Sequence, residues 1–211
     1  MKPKRIFIIR HGQSEGNADK KTYETIPDWK ISLTAKGVFE ARAAGLDFYN
    51  KIGHERFGVY YSPFFRTKQT WGNMALSIPN ELIAFEKEDP RLREQEWGHL
   101  RRAEDTHRID KEREDYGPFF FRLPDGESGA DVYDRATGFL STAYRDFAKP
   151  DFPPNMLIVS HGFTLRILIM RWLHLTVDEF HKLKNPPNCF MAELNLVGDH
   201  YKLVTPLKTE E

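Results

Sequence analysis

Apolar residues in this chain gather into short unbroken runs instead of alternating with polar ones. Four such runs stand out: Arg5 to Ile9, Gly58 to Tyr61, Leu82 to Phe85 and Met156 to Val159. Near-continuous apolar strands are covered on both faces, as in a parallel sheet flanked by helices. Between the runs, apolar residues recur at helical spacing. Thr34 is placed to cap a helix through "AKGVFEARAAGLDFYNKI", with Val38, Ala41, Gly45 and Phe48 or Tyr49 on one face. "FRTKQTWGNMALSI" predicts a second helix. "SGADVYDRATGFLSTAYRDF" predicts a third, with Ser128 as its cap and Asp131 as the reciprocal partner. "FTLRILIMRWLHL" predicts a fourth, directly after the Met156 run. Strand and helix in alternation predict an α/β domain with mixed or parallel pairing. "CFMAELNLV" and "HYKLVTPL" read as two late strands joined at Gly198-Asp199, a hairpin at one edge.

Residues 86–127 break this rhythm. They are charged, rich in Arg and end in "YGPFFFRLPDGES". We expect an irregular excursion over one end of the sheet, serving as a lid or substrate wall. Within it, "RRAEDTHRIDKERED" alternates in sign and reads as a solvated helix face. "GPFFFRL" reads as packing beneath the lid and not as a platform for a substrate.

Composition narrows the picture. The chain has 211 residues, which predicts a single domain over 1–211. Lys plus Arg number 31 and Asp plus Glu number 31. That balance argues against a nucleic-acid or polybasic membrane partner, though it leaves room for a local basic pocket. The single Cys189 has no internal partner for a disulfide, which suits a reducing compartment. The most apolar stretch, "LRILIMRWLHL", contains Arg166 and Arg171 and is too short to span a bilayer. A soluble, cytoplasmic protein is expected. Nothing in the pattern fixes an oligomeric state.

The chemistry enters through two stretches of the same design. "RIFIIRHGQSEGN" runs an apolar strand into Arg10, His11 and Gly12; "MLIVSHGFTLRILI" runs one into His161 and Gly162. In an α/β fold both His residues fall at carboxyl ends of strands, where such folds build their crevices. A glycine there permits a tight turn and close backbone approach to a ligand. The helix starting after Gly162 offers free N–H groups and a positive dipole end. Two imidazoles, Arg10 and helix N-termini can converge on one anion. Phosphate fits best, because a guanidinium binds its oxygens bidentately. A neutral imidazole can attack phosphorus once the phosphate charge is offset, splitting hydrolysis into two easier displacements. The leaving oxygen then needs a proton, and "DPRLREQEWGHL" offers Glu94, with Glu96 as a rival. A metal is the competing use for paired His. Arg10 beside His11 would repel a cation, and no HExxH or CxxC spacing occurs. Neither GxGxxG nor a P-loop is present.

"RHGQSEGN" resembles the signature of the histidine phosphatase superfamily, the group of cofactor-dependent phosphoglycerate mutases and related phosphatases. The likeness continues through "SLTAKG", "YYSPFFRTKQT", "RLREQEWG", "PDGES" and "IVSHG", in the family's order and spacing. It implies a phosphoglycerate mutase-like, three-layer α/β/α sandwich with a mostly parallel central sheet. It also implies roles. His11 is the nucleophile that becomes phosphorylated. Arg10, Arg66 and Asn17 hold the phosphoryl group, and His161 is the second pocket His. Glu94 is the proton donor. Gln13, Ser14, Gly16 and Gly162 line the pocket. No metal or organic cofactor is needed, and the substrate is a small phosphomonoester.

Family mutases follow the acidic Glu with Arg-His-Tyr and carry a longer insertion; here "EQEW" stands instead, although Arg101-Arg102 resembles the paired Arg of that insertion. The pattern is more similar to fungal broad-range acid phosphatases and plant phosphoglycerate mutase-like proteins. The expected activity is therefore a histidine acid phosphatase, with Glu94 and His161 both acting in protonated form. Phosphoglycerate mutase and a catalytically silent phospho-ligand-binding domain are the alternatives. The remaining His residues (54, 99, 107, 174, 181 and 200) read as ordinary, with His99 and His107 the exceptions to watch.

Overall fold

All six β-runs predicted from the sequence are strands of one sheet. The computed structural model describes residues 2–98 and 103–209. In chain order the elements are β1 (Arg5–Arg10), α1 (Glu15–Ala18), α2 (Thr22–Thr25), α3 (Ala35–Ile52), β2 (Phe57–Tyr61), α4 (Phe65–Ala75) and β3 (Ile83–Glu88). They continue with α5 (Ala103–Tyr116), α6 (Gly129–Phe147), β4 (Asn155–Ser160), α7 (Gly162–Leu173), α8 (Val177–Lys182), β5 (Met191–Val197) and β6 (His200–Leu203). The strand order is β3-β2-β4-β1-β5-β6. The first four strands in that order pair in parallel, and β5 and β6 add an antiparallel edge.

Each sheet face carries its own core. Ile6, Ile8, Tyr60, Met156 and Ile158 pack under α6, α7 and Phe180 of α8. Phe7, Ile9, Phe57, Val59 and Leu157 pack under α3 and α4. Alternate residues of one strand thus feed opposite cores, which is why the strands read as unbroken apolar runs. Burying one such side chain is worth about 1.5–3 kcal/mol.

The helix ends follow their caps. The Thr34 side chain accepts from the Gly37 N–H at the start of α3. Ser128 and Asp131 form a reciprocal capping box at the start of α6. On α3, Phe48 is the buried residue of the Phe48/Tyr49 pair.

The 86–127 segment starts with the end of a strand and holds the helix expected of its charge run. Strand β3 runs to Glu88, and the alternating charge run forms α5, a helix of 14 residues. That helix exposes most of its length but buries Ile109. Phe119 of "GPFFFRL" is buried against Tyr133 and Phe180, while Phe120 is 59% exposed. His99, Arg101 and Arg102 lie outside the described residues. Among the described residues, no helix is long and apolar enough to cross a membrane.

Candidate active site

Strand register brings the two His-Gly stretches together. β1 and β4 pair in parallel with Arg10 opposite Ser160, so His11 and His161 leave adjacent strands at the same level. The His11 N–H donates to the Ser160 carbonyl (2.9 Å), and the two rings sit edge to face with centroids 5.2 Å apart. Ser62, leaving β2 beside them, donates its own N–H to Val159. Three strand ends, 50 to 150 positions apart in sequence, therefore meet at one floor.

Gly12 turns the chain away from this floor. A Cβ there would lie 2.5 Å from the Gly37 carbonyl oxygen, so α3 can dock only against a glycine. The close approach is thus to the protein's own backbone and not to a ligand.

His11 is 3% exposed, and its hydrogen bonds fix its chemistry. Nδ1 lies 2.7 Å from the Gly12 carbonyl, which can only accept, so the proton sits on Nδ1. Nε2 is left as a lone pair, approached by Nε–H of Arg66 at 3.2 Å. Burial, then Arg66, then Arg10 hold the His11 pKa well below the usual imidazole range. The ring is neutral, and its unprotonated Nε2 is the nitrogen with nucleophilic character.

Arg66 is 3% exposed. Its terminal nitrogens bind Asp28 through the side chain (2.8 Å) and the backbone carbonyl (2.7 Å), which aims the guanidinium at His11. Arg10 donates to the Pro186 carbonyl, and its buried Nε has no partner. The Oδ1 of Asn17 accepts from the Ser14 N–H (3.2 Å) and the Asn188 amide (3.0 Å), which leaves the Asn17 amide hydrogens for the cavity.

His161 is fully buried, with Nε2 2.8 Å from the Ser62 hydroxyl. Ser62 Oγ accepts from the Phe64 N–H, and Nε2 is the one acceptor its own proton meets among the described residues, which assigns the His161 proton to Nδ1. That Nδ1 is buried and unpartnered, a donor with no acceptor. Burial, then Arg66 and His11, hold the His161 pKa well below the usual range. Contrary to expectation, His161 is a neutral donor and not an imidazolium.

Glu94 takes the helix N-terminus that the sequence reading offered to the ligand. Its carboxylate accepts from the Phe163 N–H (3.3 Å), the Thr164 N–H (3.2 Å) and the Gln95 N–H (3.1 Å). Because His161, the N-cap of α7, makes no side-chain cap bond, Glu94 supplies the cap from 67 residues upstream. Glu94 and its rival Glu96 both line the cavity, but Glu96 is exposed and Oε1 of Glu96 accepts from Gly98.

These groups open into a cavity of about 1660 Å³, lined by Arg10, His11, Asn17, Arg66 and Glu94 at its inner end. Tyr23, Trp29, Trp97 and residues of α5 line it as well. Five predicted pocket residues, Gln13, Ser14, Gly16, His161 and Gly162, are not part of the cavity lining, Gly16 and His161 being buried. Gln13 accepts from the Thr34 hydroxyl (2.9 Å) and Ser14 caps α1, both pointing away from the cavity. Gly162 starts α7, where a Cβ would run into Asn185. Sequence reasoning missed Asp28, Ser62 and Asn188, whose contacts with Arg66, His161, His11 and Asn17 span long stretches of chain. His181, read as ordinary, lines the cavity and accepts the Phe119 N–H at 3.3 Å. Among the described residues, no three His, Cys, Asp or Glu side chains cluster as metal ligands do.

Paired imidazoles beside Arg10 and Arg66 at one end of the parallel sheet make an α/β protein with a site suited to a phosphoryl group. The chain belongs to the histidine phosphatase superfamily, branch 1, whose family model matches residues 6–207. It is 37% identical to the phosphoglycerate mutase-like protein AT74 of Arabidopsis thaliana, an alignment covering 99% of this chain and 70% of that protein. It is 27% identical to the broad-range acid phosphatase DET1 of Saccharomyces cerevisiae, covering 98% of this chain and 90% of that one. In fold it is similar to a mycobacterial glucosyl-3-phosphoglycerate phosphatase solved with VO3, with a TM-score of 0.75 at 19% identity, covering 99% and 100% of the two chains.

Proposed function

We propose that this protein is an acid phosphatase that hydrolyses small phosphomonoesters through a phosphohistidine on His11. One observation carries the reading: a neutral imidazole offers Nε2, beside the Arg66 guanidinium, to a cavity that Arg10 also lines. In the first step the Nε2 lone pair forms a bond to phosphorus while the phosphorus–oxygen bond to the alcohol breaks. Arg10, Arg66, the Asn17 amide and Nδ1–H of His161 receive the phosphoryl oxygens, whose charge grows on the way to the transition state. Glu94, as the carboxylic acid, gives its proton to the departing oxygen. In the second step Glu94 takes a proton from water, the hydroxyl oxygen attacks phosphorus, and the nitrogen–phosphorus bond breaks to release inorganic phosphate.

Work on the acid side needs a nucleophile that stays unprotonated there. An ordinary imidazole, with a pKa of about 6.5, is lost below that value, but the buried His11 is not. The half-buried, free Cys189 is compatible with a reducing cytoplasm.

A panel of phosphomonoesters, assayed with and without 2,3-bisphosphoglycerate and alongside 3-phosphoglycerate isomerisation, tests the reading. Phosphate release without bisphosphoglycerate, fastest below neutrality, is the expected result. Isomerisation that depends on bisphosphoglycerate would make it a mutase. Neither activity, and no labelled protein, would make it a silent binding domain.

A further inference from the structure

The loop that presents Glu94 has almost no backbone pairing of its own. The 3-10 turn Pro90–Leu92 ends it on one side, and residues 94–97 belong to no helix or strand. Its carbonyls nevertheless find partners. Leu92 accepts from the Ser160 hydroxyl (2.8 Å), and Arg93 accepts from the Thr164 hydroxyl (2.7 Å). Three carbonyls converge on a single side chain. Arg135, on α6, donates from one terminal nitrogen to Arg91 (2.6 Å) and Arg93 (2.9 Å), and from the other to Glu94 (3.2 Å).

The guanidinium is held in turn. Its Nε and one terminal nitrogen fork onto the two carboxylate oxygens of Glu127, at 3.0 and 3.1 Å. Glu127 also accepts from Arg93 and from the Glu96 N–H (3.0 Å), and its backbone N–H donates to the Glu96 carbonyl (2.9 Å). Its own carbonyl accepts from the buried Gln95 amide at 2.9 Å. Arg135 and Glu127 have side chains only 10% and 14% exposed, so the fork is shielded from water and salt. Neither residue lines the cavity.

We infer that Arg135, locked by Glu127, is a positioning residue for Glu94: it fixes the backbone on which the proton donor stands. The inference rests on the reading of Glu94 as that donor. Only a forked, planar donor can bridge three carbonyls and a carboxylate at once, so a lysine cannot replace it. Without the clamp the loop backbone is held through Ser160, Thr164 and Glu127, and the Glu94 carboxyl group shifts with the backbone that carries it. A displacement of one ångström is enough to cost on the order of 10²-fold in rate.

The test is a rapid-quench measurement of the first turnover with two substrates. p-Nitrophenyl phosphate leaves as a stable phenolate and needs no proton; glycerol phosphate leaves as an alkoxide and does. Arg135→Leu is expected to slow alcohol release from glycerol phosphate about 10²-fold while leaving nitrophenol release close to that of the unaltered protein. Glu94→Gln shows the same selectivity and sets the reference. Glu127→Gln keeps the shape of the site, so it guards against a folding failure of the leucine variant; it gives the same selectivity, about 10-fold. Arg135→Lys does not recover the glycerol phosphate rate. Equal slowing of both substrates in the Arg135 and Glu127 variants, or slowing of neither, overturns the proposal. If Glu94→Gln itself slows both substrates equally, Glu94 is not the donor and the positioning role falls with it.

Discussion

The two ends of the cavity are built by different means. At the inner end, the sheet does the positioning. His11, His161 and Ser62 leave three paired strands at one level, and backbone register sets their spacing to within hydrogen-bond precision. At the outer end, side chains do the positioning. Arg113 of α5 stacks over Trp97 and Phe163 and donates to Gln95, which holds Glu127. The inner end is buried and set by strand pairing, which suits the proposed reaction, whose catalysis is mostly charge placement. The outer end is a wall of long, charged side chains on a mostly exposed helix. Substitutions of the side chains that face the cavity there are expected to change which alcohol fits, whereas those that loosen Gln95 or Glu127 reach Glu94 as well.

Perturbing the inner end breaks that comparison most sharply. His11→Ala removes the nucleophile and is expected to lower turnover by on the order of 10⁴-fold or more for every monoester tested, read as steady-state phosphate release. Arg66→Ala comes next. It strips one guanidinium from the developing charge and is expected to cost about 10²–10³-fold, mostly in kcat. Asp28→Asn loosens the same guanidinium without removing it and should cost less. A loss in KM alone for Arg66→Ala would place that residue on the substrate and not on the transition state.

The inner end also sets a pH dependence of stability. His11 and His161 are held neutral in the folded protein, whereas in the unfolded chain they protonate as pH falls through about 6.5. Below that value the unfolded state binds more protons, so stability falls as pH falls. The slope approaches about 1.4 kcal/mol per pH unit for each ring until its folded pKa is reached. Glu55 and Asp131, whose pKa values are lowered to about 2, lose their contributions only once pH drops below the ordinary carboxylate range. Urea midpoints measured from pH 7 to 5.5 therefore isolate the imidazoles. A flat midpoint over that interval contradicts two neutral buried rings.

Much of the inner end was legible before any coordinates. A strand followed by His and Gly, occurring twice, is a local pattern, and parallel pairing turns it into a shared floor. The helix caps Thr34 and Ser128 were legible for the same reason, since a cap and its partner lie three residues apart. The donor of Glu94's cap, the Asp28–Arg66 fork and the Ser62–His161 bond were not. Each joins residues far apart in sequence and leaves no periodic trace. α5 was legible from its alternating charges as a solvated helix face, but its buried Ile109 was not, because no apolar stripe accompanies it. Arg135 sits in the helix whose amphipathic pattern was read, but its pattern says nothing about which carbonyls it gathers.

The smallest expected effect belongs to the outer wall. Trp97→Ala should shift KM by about 10-fold for some monoesters and little for others, with kcat nearly constant. A uniform fall in kcat across substrates would mean that the wall shapes the chemistry as well as the choice of alcohol.

The most direct test is to trap the intermediate and map it. Protein quenched during turnover of a monoester labelled at phosphorus should carry the label on His11, bonded through Nε2, and the His11→Ala variant should carry none. Label on any other residue, or undiminished turnover with no nitrogen-bound phosphate, would contradict the account.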